Sequence, residues 1–549
     1  MGDRITRTAP GDPAGSRQAV LRLQRGVQRL LQAEVRAYTG GNTPALERYY
    51  REYIRDFRSQ HSLTSFGELN QSILDVDLFF VGDYHTLRQS QELARRLLER
   101  AAHDERPLVL ALEMVRREHQ VHLDAYMRGE IREADFLQRV QYDLTWNFNW
   151  ENYKPLFDSA RRLGVRLVGI NHAAAGQGMH ARDEAIASSL VEDTLKWPAA
   201  RFMVLIGDLH LASNHLPRAL DLRLQAVGLQ RRKLVVYQNS DTLYWTLAER
   251  GEDADAHVVR LGVDRFCVME VPPHVKLQSY LSWEQAVERL HVDGEADELL
   301  VEASYTSVFE ALVRQMGRFL ELPPVEAGCE VFTNLDEHFF EVVENSTAID
   351  EKRVREVHLL AFANRSCYVP EVNVVYLPFF SVNHACEEAL HVLQVRHAGS
   401  VSAYEDEVEE FYARAWNAAL GFCISKLVNP RRVATRADEF RSFLRSASRR
   451  LHEPGLAFRK LVARFVVQHK AHERARLAGR RGRLKQIYEQ DLDVVLEVTH
   501  ALGYMLGERL VAAVDAGRID AALLRDLVLL DPSVAPSERY YATLRQLEA

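Results

Sequence analysis

Residues 76–85, VDLFFVGDYH, and residues 201–210, RFMVLIGDLH, each run through apolar side chains and stop at a Gly-Asp-x-His tetrad. Short apolar runs rich in Val, Phe, Leu and Ile, closed by a turn signal, read as buried strands. The glycine lets the backbone turn sharply where each strand ends. Residues 108–112, 165–170 and 234–237 are strand-like in the same way, and amphipathic helical stretches follow the strands at 76–81, 108–112, 165–170 and 202–206. Strands alternating with helices specify βα units, hence an α/β domain with a mainly parallel sheet flanked by helices. Residues 266–271 add an edge strand before Pro272-Pro273 breaks the pattern.

Outward from this block, residues 18–58 carry a helical pattern, with Leu21, Leu23, Val27, Leu30 and Leu31 near the 3.6-residue period, and form a helical cap on the same domain. Residues 1–17 are polar, with no apolar run and no small-residue cleavage site, and read as a disordered lead-in rather than a secretory signal. The text becomes acidic and weakly patterned around residues 293–297, which sets the expected division between an α/β domain at 18–290 and a second domain at 300–549. Helical periodicity at 304–320, 350–364, 382–395, 403–427, 457–476 and 485–514, with strand signals chiefly at 368–377, makes that second domain mainly α.

A chain of 549 residues, 47% hydrophobic, is long enough for two or more cores. A formal net charge of −8 with interspersed signs gives no pull towards nucleic acid or anionic lipid. No window reaches the roughly 18 apolar residues of a membrane span. Cys267, Cys329, Cys367, Cys386 and Cys423 are odd in number and far apart, which fits reduced thiols in a cytoplasm better than a disulfide framework or paired thiolate ligands. The expected partner is a small molecule, and the oligomeric state is left open.

In a parallel sheet the carboxyl ends of the strands share one edge, where ligands bind. His85 and His210 both follow strand ends, and the run at 108–112 leads into Glu113, an acid that needs a partner if it is buried. Turn chemistry alone accounts for one such tetrad. Two at matching positions, together with Glu113, argue for a site. Two imidazoles and a carboxylate suit a divalent ion such as iron, manganese or zinc, with Asp83 and Asp208 as further ligands or as acceptors for the histidine N–H groups. The same residues suit acid–base chemistry, with Glu113 as general base.

The paired tetrads and strand-end glutamate resemble the Tiki superfamily, and within it the ChaN haem-binding uptake proteins. The segment Trp146-Asn147-Phe148-Asn149-Trp150-Glu151-Asn152-Tyr153-Lys154-Pro155-Leu156, the pair Arg182-Asp183 and the turn Leu216-Pro217 carry the likeness further, over roughly residues 75–241. The resemblance implies a haem or a metal ion held at His85, Glu113 and His210. Its hydrolytic relatives imply the alternative of a metal-dependent hydrolase using the same residues. Under the haem reading Tyr84 supplies an axial phenolate beside His85 and His210, and Trp146, Phe148, Trp150 and Tyr153 supply an apolar wall, although such aromatics more often build plain core. Arg116, Arg117 and Arg182 are candidates for a carboxylate or propionate. His172, His180 and His215 lie near the same edge and are not counted among the ligands.

In the helical half, Glu388-x-x-His391 and Glu497-x-x-His500 repeat a spacing used by di-iron bundles, with Glu407 or Glu410 as further carboxylates, but Glu and His are ordinary surface residues of charged helices. The basic stretch at 470–485 lacks interleaved aromatics and reads as a solvated corner.

Overall fold

The computed structural model describes residues 13–41, 43–58, 61–172, 178–291, 295–333, 336–399, 404, 406–446, 455–480, 485–529 and 534–548. By contact the chain divides into two compact units, one of residues 32–287 and one of residues 1–31 with 288–549. Of the lead-in expected over residues 1–17, residues 1–12 lie outside those described, and residues 13–17 open the helix Pro13–Thr39.

The α/β unit is built on eight strands: β1 (Ser62–Thr64), β2 (Leu78–Asp83), β3 (Leu108–Arg116), β4 (Arg166–Asn171), β5 (Arg201–Gly207), β6 (Lys233–Gln238), β7 (Val258–Arg260) and β8 (Arg265–Val268). They form one sheet in the order β1-β7-β8-β6-β2-β5-β3-β4. The six strands from β8 to β4 run parallel, and β7 and β1 close one side antiparallel. All residues of β2 and β5 are buried, as strands covered by helices on both faces must be. The strand expected at the edge, β8, lies inside the sheet because the short run Val258–Arg260 pairs with it.

Strand order positions the chemistry. β2 and β3, consecutive in the chain, are not side by side, since β5 lies between them. The ends of β2, β5 and β3 are therefore adjacent, and Asp83 pairs in register with Gly207. Along β3 the register to β4 shifts between Leu112 and Arg116, so the strand is irregular where Glu113 stands.

In the helical unit, Glu407–Val428 packs on Leu492–Asp515. A Cβ at Gly503 or Gly507 would stand 2.5 Å from the carbonyl oxygen of Ala415 or Ala419, so the two glycines allow the close helix approach. Gln24 joins its amide to the Leu427 carbonyl at 2.7 Å, tying the first helix into this unit. The strand signal at 368–377 is a hairpin, Cys367–Val369 with Val374–Leu377, and Glu330–Thr333 pairs parallel to its second strand.

Candidate functional site

Glu113 is buried at the centre of the edge formed by β2, β5 and β3. Its Oε2 accepts the Gly207 N–H at 2.7 Å, and its Oε1 accepts from Arg182 at 2.9 Å. The Nε2 atoms of His85 and His210 face the same carboxylate at 4.0 and 3.5 Å. Each imidazole is held from behind by an aspartate: His85 Nδ1 lies 2.9 Å from Asp83, and His210 Nδ1 lies 2.6 Å from Asp183. Such pairing fixes ring orientation and tautomer, leaving Nε2 directed at the centre.

The aspartates are themselves restrained. Asp83 accepts from Gln91 at 2.5 Å and from the Tyr153 hydroxyl at 2.7 Å. Asp183 accepts from the Tyr49 hydroxyl at 2.9 Å, and that hydroxyl also lies 3.1 Å from His210 Nδ1. His210 is buried, whereas the His85 side chain keeps 24% of its surface exposed. Trp146 and Phe148 flank His85, with ring centroids 4.4 and 4.8 Å away.

Burial, the largest single influence, works against charge on both His85 and Glu113, and in both cases it is outweighed. Burial would raise the Glu113 carboxyl, but His210, His85, Arg182 and the Gly207 N–H hold it below its usual range. Burial would lower His85, but its hydrogen bond to Asp83 and the charges of Asp83 and Glu113 raise it. The centre thus stabilises a carboxylate between two imidazoles.

Asp208 does not join His210. Its carboxylate accepts from the Tyr53 hydroxyl and, at 3.1 Å, from the Gln238 N–H. Burial pushes it up to about 6. A buried acid raised in this way contributes stability that is complete below its unfolded value, about 3.9, and that is lost as pH climbs through 6. Thermal melts across pH 4 to 8 should therefore show a falling component in the parent protein that is absent in Asp208→Asn. Parallel profiles for the two would contradict this placement of its charge.

Tyr84 also takes a different direction from His85. Its ring lies 5.4 Å from the Lys276 ammonium, and burial pushes its phenol up to about 12. Arg182 is the one of the three candidate arginines that meets Glu113. Arg117 instead pairs with Asp193 at 2.7 Å, and Arg116 lies 4.0 Å from Glu118. Tyr49, Tyr53 and Asp183 enter the network without having been singled out as site residues. Asp183 had a signal in the Arg182-Asp183 pair, whereas Tyr49 and Tyr53 lie on the helix Pro44–Arg55 and had none.

In the helical unit, a cavity of about 440 Å³ is lined by Glu387, Glu388, His391, Arg365, His500 and Tyr504 among others. The two Glu-x-x-His motifs are not gathered into one ligand set. Glu388 bonds Ser366 at 2.7 Å and His391 at 3.0 Å, and Glu497 pairs with Arg365 at 2.7 Å. Glu410 is taken up by Lys352 and Arg414 at 2.7 and 2.8 Å. In the basic stretch Lys470 pairs with Glu473 and Arg476 lies 4.0 Å from the Tyr541 ring, while residues 481–484 lie outside those described.

Residues 69–176 match the family model described as haem-binding uptake, Tiki superfamily, ChaN. The chain carries a ChaN-type domain of the Tiki superfamily. The matched stretch of this Tiki-type domain includes His85 and Glu113 and ends before Arg182 and His210. Among solved structures, the chain is similar to ChaN of Campylobacter jejuni, described as binding haem cofacially, with 14% identity over 33% of this chain and 89% of that one and a TM-score of 0.27. It is also similar to the type III effector HopBA1, with 14% identity over 37% of this chain and 90% of that one and a TM-score of 0.27. No curated protein matches the chain. At the level of family, the match supports a function of the haem-binding or wider Tiki kind.

Proposed function

We propose that the Tiki-type domain holds one divalent ion of the iron, manganese or zinc class between His85, Glu113 and His210, and that the site hydrolyses a small substrate. The observation that carries this reading is the convergence of two aspartate-backed Nε2 atoms on one buried carboxylate. Separations of 4.0 Å from His85 to Oε2 and 3.5 Å from His210 to Oε1 are too long for hydrogen bonds, and an ion would draw these side chains together to lie about 2.0–2.2 Å from each donor. Charge agrees. Asp83, Asp183 and Glu113 against Arg182 leave two negative charges in the cluster, which a divalent ion neutralises.

A bound ion of this class supplies a water of lowered pKa. The chain's own residues do the rest. His85, with its exposed edge between Trp146 and Phe148, is the imidazole on the substrate side, and His210 is sealed within. Arg182, 31% exposed and already on Glu113, is placed to receive an anionic group of the substrate.

The family description and the aromatic wall beside His85 favour haem as a second reading. Against it, both Nε2 atoms aim inward at Glu113, and Tyr84 keeps company with Lys276. A porphyrin would require His85 to turn outward. Titrations of the full chain separate the two. We expect an equivalent of Zn²⁺ or Mn²⁺ at this centre, whose affinity falls by about 100-fold or more in His210→Ala, without a specific Soret change on adding haemin. A saturable Soret shift that weakens in His85→Ala and Tyr84→Phe, with no His210-dependent ion, would overturn the proposal in favour of haem.

A further inference from the structure

A second set of donors stands beside this centre. The helix Pro44–Arg55 brings Glu52 to His215, and His180, in the first turn of Met179–Lys196, reaches the same point. One ligand atom from each of Glu52, His180 and His215 lies within 4.8 Å of the other two. We propose that these residues form a second site for a divalent transition-metal ion, distinct from the centre at Glu113.

The chemistry of the donors is that of an open metal site, with two imidazoles, one carboxylate and room for a further ligand. His215 is already oriented as a ligand. Its Nδ1 donates to the Leu209 carbonyl at 2.8 Å, and its Nε2 lies 2.8 Å from Glu52 Oε2. Both ring nitrogens therefore face oxygen acceptors, so either a proton or a metal ion must sit between Nε2 and Glu52. The ring cannot swing away. Its side chain is fully buried, and Tyr49 stacks on it with centroids 3.6 Å apart and planes 12° from parallel.

Glu52 Oε2 also accepts from Asn214 at 2.8 Å, which holds in place the same carboxylate oxygen that faces His215. His180 is exposed, with its ring 5.4 Å from that of His215, and it leaves the solvent side of the group open. An ion here would close these donors by about an ångström to reach the usual bond lengths near 2.0–2.2 Å. The exposed His180 supplies that freedom. Tyr49 joins the two centres, because the ring that stacks on His215 carries the hydroxyl bonded to Asp183 and His210.

The test uses the full chain in a Glu113→Gln background, which removes the first centre's charge. Titration with Co²⁺, read by its visible absorption, should show one equivalent bound, displaced by Zn²⁺. His180→Ala and Glu52→Gln, each added to that background, should weaken it by about 100-fold or more. His180 is exposed, so its replacement leaves the fold intact, and unchanged circular dichroism would verify this. No Co²⁺ bound in the background, or binding that survives both substitutions, overturns the proposal. The first centre is tested separately: if it alone fails, the parent chain still binds one ion that depends on His180 and not on His210.

Discussion

Replacing Glu113 by alanine is expected to destabilise the α/β unit by about 3 kcal/mol and to abolish ion binding at the first centre. The carboxylate is buried, accepts from the Gly207 N–H and the Arg182 guanidinium, and faces two imidazoles. Removing it leaves a buried donor without an acceptor, which by itself costs about 1–3 kcal/mol. Arg182, 31% exposed, can turn to water, which keeps the loss near the low end of the range for broken buried pairs. Glu113→Gln separates the two effects. It keeps an acceptor for Gly207 and most of the stability while losing the charge, so ion affinity should fall by about 100-fold or more with a small change in melting temperature. Equal losses of stability in the two variants would show that charge, rather than the hydrogen bond to Gly207, holds this part of the fold.

The second large effect is expected at Gly82. A Cβ there would stand 1.8 Å from Asp208 Oδ1 and 2.8 Å from its Cγ. The carboxylate cannot retreat, because Tyr53 and the Gln238 N–H hold it and Gln238 also donates to the Gly82 carbonyl. Gly82→Ala should therefore cost about 3 kcal/mol, at the upper end for an overpacked core. Shortening the opposing side chain relieves the clash. In the double variant Gly82→Ala/Asp208→Ala the two losses should be clearly less than additive, whereas strict additivity in urea melts would contradict the contact.

The six parallel strands were legible because each holds a short, buried apolar run, with polar residues confined mostly to its ends. β1 and β7, three residues each, were too short to carry a period. The site was legible in His85, Glu113 and His210 as residues at strand ends, but which aspartate serves which histidine was not. The two Gly-Asp-x-His tetrads look equivalent in sequence. Asp83 turns to its own histidine, whereas Asp208 fills the space left by Gly82, and Asp183 from a separate helix takes its place behind His210. Likewise Glu52 and His215 meet across 163 residues of chain, a pairing that no local spacing announces.

The central claim is that His85, Glu113 and His210 hold one ion. Crystals of the full chain grown with Zn²⁺ and measured on both sides of the zinc absorption edge test it most directly. The account predicts an anomalous peak about 2.0–2.2 Å from His85 Nε2, His210 Nε2 and a Glu113 oxygen, absent in crystals of Glu113→Gln. A map with no peak among these three side chains, from crystals that show zinc bound elsewhere on the chain, would contradict it.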